Sequence, residues 1–237
     1  YIKKTLLLSF SLAKTQFKLR NEGSYLGIFW YLLDPLAMFS IILMLSGVLV
    51  NVNTENYPVY LLLGLIMFNF FRQTTINSTN SIVANAGFIK SMKISSESFV
   101  ISSAMLSFFS HLFELVILLF LLIFFKVSLV GFFLYPLVFL FLFLFALGVS
   151  FILACIGVYV NDINNVWSVF INLLWFSTPI FYVISGGGPT IINKLNPMFY
   201  FVSIAREIVI DGTIFLKGQF VGTAFLSVAF FLAGLII

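Results

Sequence analysis

The sequence predicts an all-α, multi-pass membrane protein, and three observations predict it. Hydrophobic residues fill 62% of the 237 positions and charged residues only 8%. A soluble domain carries about 25% charged residues, so this chain cannot build a water-facing surface. Apolar runs recur at the length that crosses a bilayer core, about 20 residues each, which leaves room for about six spans and little else. Runs such as Phe113 to Phe125 are apolar on every side, whereas a membrane β-barrel strand alternates apolar and polar residues. Residues 1–237 therefore read as one transmembrane domain.

Residues 1–22 come first. Lys3, Lys4, Lys14, Lys18 and Arg20 interleave with Leu6, Leu7, Phe10, Leu12, Phe17 and Leu19. This predicts a helix lying in the membrane interface with its basic groups near anionic head groups. A frayed tail is the plainer alternative; the recurrence of Phe and Leu at helical spacing favours the helix. The segment lacks the short apolar core and small-residue site of a cleavable signal peptide. The chain begins at Tyr1 without Met, as a trimmed end does.

The first span is expected from about Leu26 to Val50, with Phe29-Trp30-Tyr31 at head-group level and Asp34-Pro35 close behind. A polar loop, Asn51 to Asn56, leads to a second span from about Tyr57 to Val83. Its second half is unusual, because Asn69, Gln73, Asn77 and Asn80 recur at helical spacing, with Arg72 beside them. Such groups do not face lipid. They either pack helix against helix or line a hydrated translocation path, and both readings stand. Residues 84–98 form a short amphipathic connection carrying Lys90 and Lys93.

The third and fourth spans are expected at about Phe99–Phe125 and Phe132–Val158. His111 and Glu114, three apart, share a face of the third span. They are functional candidates by default, although mutual contact would satisfy both. A fifth span runs from about Asn165 to Trp175 or beyond, and a last one from about Phe220. Between these two the apolar pattern is broken by Pro179, Gly186, Gly187, Gly188, Asn196, Pro197 and the pair Arg206-Glu207.

Basic residues set the orientation. The N-terminal segment and the 84–98 connection hold seven, while Lys126, Lys194, Arg206 and Lys217 make four on the other side. Both termini are therefore expected in the cytoplasm. The net charge of +4 is spread over loops and gives no nucleic-acid-binding face. Cys155 lies alone in an apolar run as a small hydrophobe. The chain has no Gly-rich loop ending in Gly-Lys-Ser or Gly-Lys-Thr, hence no nucleotide-binding P-loop. Its single histidine excludes a multi-histidine metal centre.

The breaks and their order resemble the membrane (permease) subunit of type-2 ABC exporters of polysaccharides, the Wzm group of O-antigen permeases. Teichoic acid and capsule permeases belong to the same wider family. The resemblance is carried by Tyr25-Leu26-Gly27-Ile28-Phe29-Trp30 with Pro35, Gly64 and Phe68, Tyr159 to Asp162 with Trp167, Thr178-Pro179-Ile180 and Tyr182, and Leu195-Asn196-Pro197 with Arg206. It covers nearly the whole chain. Asn161-Asp162 stands where many members have Arg-Asp, and Ile94-Ser95-Ser96 where a proline is usual.

The resemblance implies six transmembrane helices, an interfacial helix at 1–22, and re-entrant helices between the fifth and sixth spans, at 179–212. It implies a cytoplasmic coupling helix at 84–98, with Phe88, Ile89, Lys90, Met92 and Lys93 docking on a separate P-loop ATPase subunit. ATP and Mg would be held by that partner, with no cofactor in this chain and no catalysis of its own. Two copies would form a homodimeric channel in the cytoplasmic (inner) membrane, and the cargo would be a polyprenyl-pyrophosphate-linked glycan. Phe181, Tyr182, Phe199 and Tyr200 are the aromatic candidates for gating or sugar contact. Arg206-Glu207 is expected to anchor the broken segment as a local ion pair. Other readings are a teichoic acid, capsule, drug or lipid permease. A membrane enzyme acting on polyprenyl-linked sugars would need carboxylates converging at one membrane face, and the chain scatters them.

Overall fold

The structure is a computed structural model describing residues 2–22, 25–49, 56–92, 94–184, 189–212 and 218–236. Among these, every regular element is helical. They are α1 (Ile2–Asn21), a 3₁₀ turn (Gly27–Phe29), α2 (Trp30–Leu49), α3 (Tyr57–Thr79), α4 (Ser81–Ala84), α5 (Ala86–Met92), α6 (Glu97–Phe124), α7 (Val130–Tyr159), α8 (Ile163–Ser177), α9 (Ile191–Leu195), α10 (Pro197–Val209) and α11 (Gly218–Ile236). Among the described residues, α3, α6, α7 and α11 are long and apolar enough to cross a membrane. The apolar part of α2, Trp30–Ser46, is shorter. At 15 residues, α8 rises about 22 Å, less than the ~30 Å hydrocarbon core.

α3 is the axis of the bundle. It is buried without a break from Leu61 to Phe68, and α2, α6, α7, α8 and α10 all pack on it. A helix apolar all round belongs in such a place. Pro58 sits in its first turn, where the missing N–H costs nothing. It ends four residues before the expected Val83, because Asn80 turns the chain into α4. Asn80 thus leaves the polar row that the sequence suggests.

α7 and α11 cross where two glycines meet. A Cβ on Gly148 would strike the Phe230 backbone, and one on Gly234 would strike the Gly148 carbonyl. Backbones this close gain the dispersion contacts that drive helix association in lipid. The outer faces expose Val116, Phe120, Phe124, Phe133, Leu140 and Phe225, which suits a hydrocarbon solvent.

α1 departs from the expected packing. Its buried stripe is Thr5, Ser9 and Ala13, while Leu6, Leu7, Phe10 and Leu19 are exposed. Small residues let α1 lie close on α6, and the larger apolar groups point away from the protein. Phe17 stacks on Tyr31 and on Phe113, tying α1 to α2 and α6.

Candidate functional site

Three polar regions stand out against this apolar bundle. The first surrounds the non-helical segment after α8. A side-chain hydroxyl at Thr178 and the carbonyls of residues 177–182 need partners, since buried polar groups left unpaired are costly. Distant residues supply them. The Tyr57 hydroxyl donates to the Phe181 carbonyl at 2.6 Å. The Tyr60 hydroxyl lies 3.4 Å from the Pro179 carbonyl and 3.3 Å from that of Tyr182. Asn193 Nδ2 donates to the Ser177 carbonyl and to the Tyr182 hydroxyl. Asn196 Nδ2 reaches the Leu174 carbonyl and the hydroxyls of Ser177 and Thr178.

Arg206 closes this clamp. Its Nε donates to the Tyr60 carbonyl at 3.1 Å, Nη1 to Pro179 at 2.6 Å, and Nη2 to Ile180 at 3.1 Å. The guanidinium carbon lies 3.3 Å over the Tyr60 ring centre. A planar fork with five N–H groups can serve three carbonyls from one side chain; an ammonium cannot hold them in that geometry. Arg206 thus anchors the broken segment through main-chain carbonyls. Ile204, Ala205 and Arg206 are buried in α10, and Glu207 is half-buried. Gly64 makes the room, because a Cβ there would collide with the Arg206 guanidinium.

The remaining expected residues fall around this clamp. Pro179 is buried within it, and Phe181 and Tyr182 are half-buried, with the Phe181 ring stacked on Trp175. Asn196 caps α10, accepting from the Met198 N–H, and Pro197 is the first residue of that helix rather than a loop turn. Tyr200 is placed elsewhere: it donates to the Lys194 carbonyl and lines a cavity between α10 and α11. Phe199 packs edge-on against it. Gly186, Gly187 and Gly188 lie outside the described residues.

The second region is a network inside the bundle. Asn69 Nδ2 donates to Glu114 Oε1. His111 Nδ1 bonds Glu114 Oε2 at 3.0 Å, and its Nε2 bonds the Tyr135 hydroxyl at 2.9 Å. His111 and Glu114 do meet, as their spacing suggests. Asn69 and Gln73, both half-buried, border a cleft with Asp34 and Glu114, which continues past Arg72 to Trp175. Asn77 and Asn80 are exposed and lie outside that lining.

The third region is the opposite end of α3. There α5 has no buried residue; Phe88 and Met92 are exposed, Lys90 too, and Ile89 is half-buried. Lys93 lies outside the described residues. α3 is latched to α8 nearby: Thr79 donates to Asn164, and Trp167 Nε1 to Thr75.

Tyr57, Tyr60, Tyr135 and Asn193 are site residues that sequence reasoning missed. Their only local signal is a polar tip on an otherwise apolar helix face. For Asn193 the Thr190-x-x-Asn193 capping box was available.

A chain with a lipid-facing exterior and its unwound backbone satisfied from within is a multi-pass helical membrane domain. Residues 8–210 match the family described as ABC-2 type transporter. The match takes in most of the chain, from α1 to the end of α10, and the chain belongs to that family. Membership implies an ABC ATPase partner. The chain is also 28% identical over 202 residues to the O-antigen export system permease protein RfbA of Klebsiella pneumoniae, covering 83% of this chain and 78% of that protein. It is 24% identical over 196 residues to the O-antigen export system permease protein RfbA of Myxococcus xanthus, covering 81% and 75%.

Proposed function

We propose that this chain is the transmembrane subunit of an ABC exporter for a polyprenyl-pyrophosphate-linked polysaccharide of O-antigen type. The observation that carries the reading is the joint one: family membership across 8–210, with relatives named as O-antigen export permeases over four-fifths of the chain. ATP and Mg bind a separate P-loop subunit, and two copies of this chain enclose the path in the cytoplasmic membrane. Both termini face the cytoplasm, supported by the excess of lysine and arginine in the N-terminal segment and around α5.

In this reading α2 and α8 complete six spans, and α9 and α10 are re-entrant helices dipping in from the outer side. The clamp on residues 177–182 supports it, because irregular backbone at that depth is tolerated only where protein satisfies it. The cleft along Asn69 and Gln73 is one wall of the path. α5 is the coupling helix, and the exposure of Phe88 and Met92 suits a docking contact.

The test is co-purification with the P-loop subunit, followed by ATPase and export assays on Phe88→Ala and Met92→Ala. Both variants should insert and fold normally, yet lose most ATP-driven export. Full export with the double variant would sink the assignment of α5.

A further inference from the structure

Charged and polar groups of both signs crowd one corner of the bundle, where the end of α1 meets α2, α3 and α6. The cleft there encloses about 250 Å³, and Arg20, Tyr31, Asp34, Asn69, Gln73 and Glu114 line it. Such groups in apolar helices do not face lipid tails; they meet protein, water or a ligand. Two of them are committed to the cleft by their surroundings.

Tyr31 is 9% exposed, and its hydroxyl has no hydrogen-bond partner among the described residues. A buried hydroxyl is costly to leave unpaired. Its ring is held in a three-ring cluster, 5.1 Å from Phe17 and 5.7 Å from Phe113, which are themselves 6.2 Å apart. The Arg20 guanidinium carbon sits 5.2 Å from the centre of the same ring and interacts with the hydroxyl, so an exposed cation and the Tyr31 O–H stand side by side. Glu114 is 2% exposed and accepts from Asn69 and His111. A carboxylate offers about four acceptor positions, so it retains capacity towards the cleft it lines. On the other side of the Tyr31–Phe17–Phe113 stack, Phe10, Phe17, Phe109, Phe113 and Val116 form an open apolar groove beside Lys14.

We propose that this cleft binds the phosphoryl head group of a membrane lipid. Arg20 and the Tyr31 hydroxyl donate to phosphoryl oxygens, a charge-assisted arrangement of the stronger kind. Asp34 and Glu114 accept from an ammonium or hydroxyl on the same head group. The groove beyond the aromatic stack takes an acyl or prenyl chain. The basic face of α1 draws such a lipid to this corner. The site stands apart from the export reading: a glycerophospholipid would satisfy it whatever the cargo is. A polyprenyl phosphate has the same phosphoryl chemistry and is the other source.

Native mass spectrometry on the full-length chain tests this, with phosphatidylethanolamine, phosphatidylglycerol, polyprenyl monophosphate and, as a head-group-free control, diacylglycerol. The phosphoryl lipids should be retained over diacylglycerol. Tyr31→Phe keeps the ring stack and should weaken retention about tenfold, as should Arg20→Gln, with melting temperatures unchanged. Preference for polyprenyl monophosphate assigns the site to the cargo carrier, and preference for a glycerophospholipid assigns it to the bulk bilayer; the phosphoryl site stands in both. Equal retention of diacylglycerol, or affinities untouched by both substitutions, overturns the proposal.

Discussion

The two ends of α3 are built on opposite plans. At the Tyr57 end, an unwound stretch of chain is bound by five side chains from three helices and the loop before them, with Arg206 at the centre. About 34 Å away along the helix, at the Thr79 end, α5 carries no buried residue and exposes Phe88 and Met92. One end has used its polar groups on itself; the other keeps apolar groups unspent. The difference separates a preformed part of the molecule from one whose energetics await another surface. On the proposed reading, loss of a residue at the first end should unfold the protein and loss of one at the second should silence it.

The contrast can be broken most directly at Arg206. Arg206→Ala strips donors from three buried carbonyls, and an unmade buried bond to a charged group costs about 1.5–3 kcal/mol. A loss of more than about 3 kcal/mol is expected, seen as a large fall in melting temperature of the detergent-solubilised protein. Arg206→Lys should recover only part of it. A stable, active Arg206→Ala would mean the clamp is ornamental and the contrast false.

Asn196→Ala comes next. It removes the α10 cap and the donor to Leu174, Ser177 and Thr178, for about 2 kcal/mol. Gly64→Ala probes the same clamp without touching a polar group. Its methyl collides with the guanidinium, so about 1–3 kcal/mol of overpacking strain is expected, and the effect should shrink in an Arg206→Ala background. A full additive loss in that double variant would place the strain elsewhere.

The smallest stability effect is expected at the other end. Phe88→Ala and Met92→Ala should shift stability by no more than about 0.5 kcal/mol while losing most ATP-driven export. Destabilisation comparable to Asn196→Ala would show that α5 is packed structure like the rest, and would erase the contrast.

The helices were largely legible from hydropathy, because a membrane span announces itself by local composition. The expected starts of the third, fourth and last spans fall within two residues of α6, α7 and α11. What hydropathy could not find were boundaries set by single polar residues, such as the turn at Asn80 that ends α3 early. The clamp was half legible. Pro179, Asn196, Pro197 and Arg206 drew attention because each breaks an apolar run. Their partners Tyr57 and Tyr60 did not, since they lie more than 115 residues away along the chain and read as ordinary interfacial aromatics. The charge of Arg206 marks it in the sequence, but nothing local shows that its partners are carbonyls 26 and 27 residues back. Tyr135 was hidden in the same way, its one polar atom tucked against His111 in a run of Phe and Leu.

The same spacing has a consequence for how the protein is made. Pro179 and Ile180 leave the ribosome 27 and 26 residues ahead of the guanidinium that will hold their carbonyls. At about 5–20 residues per second, that is an interval of a few seconds at most. Through it the segment after α8 has no stable home in hydrocarbon, and Tyr57 and Tyr60, made long before, are the partners already waiting. On the proposed placement, the segment after α8 is expected to settle only once α10 has been synthesised. A ribosome stalled short of Arg206 should then leave this segment accessible to protease from outside the bilayer.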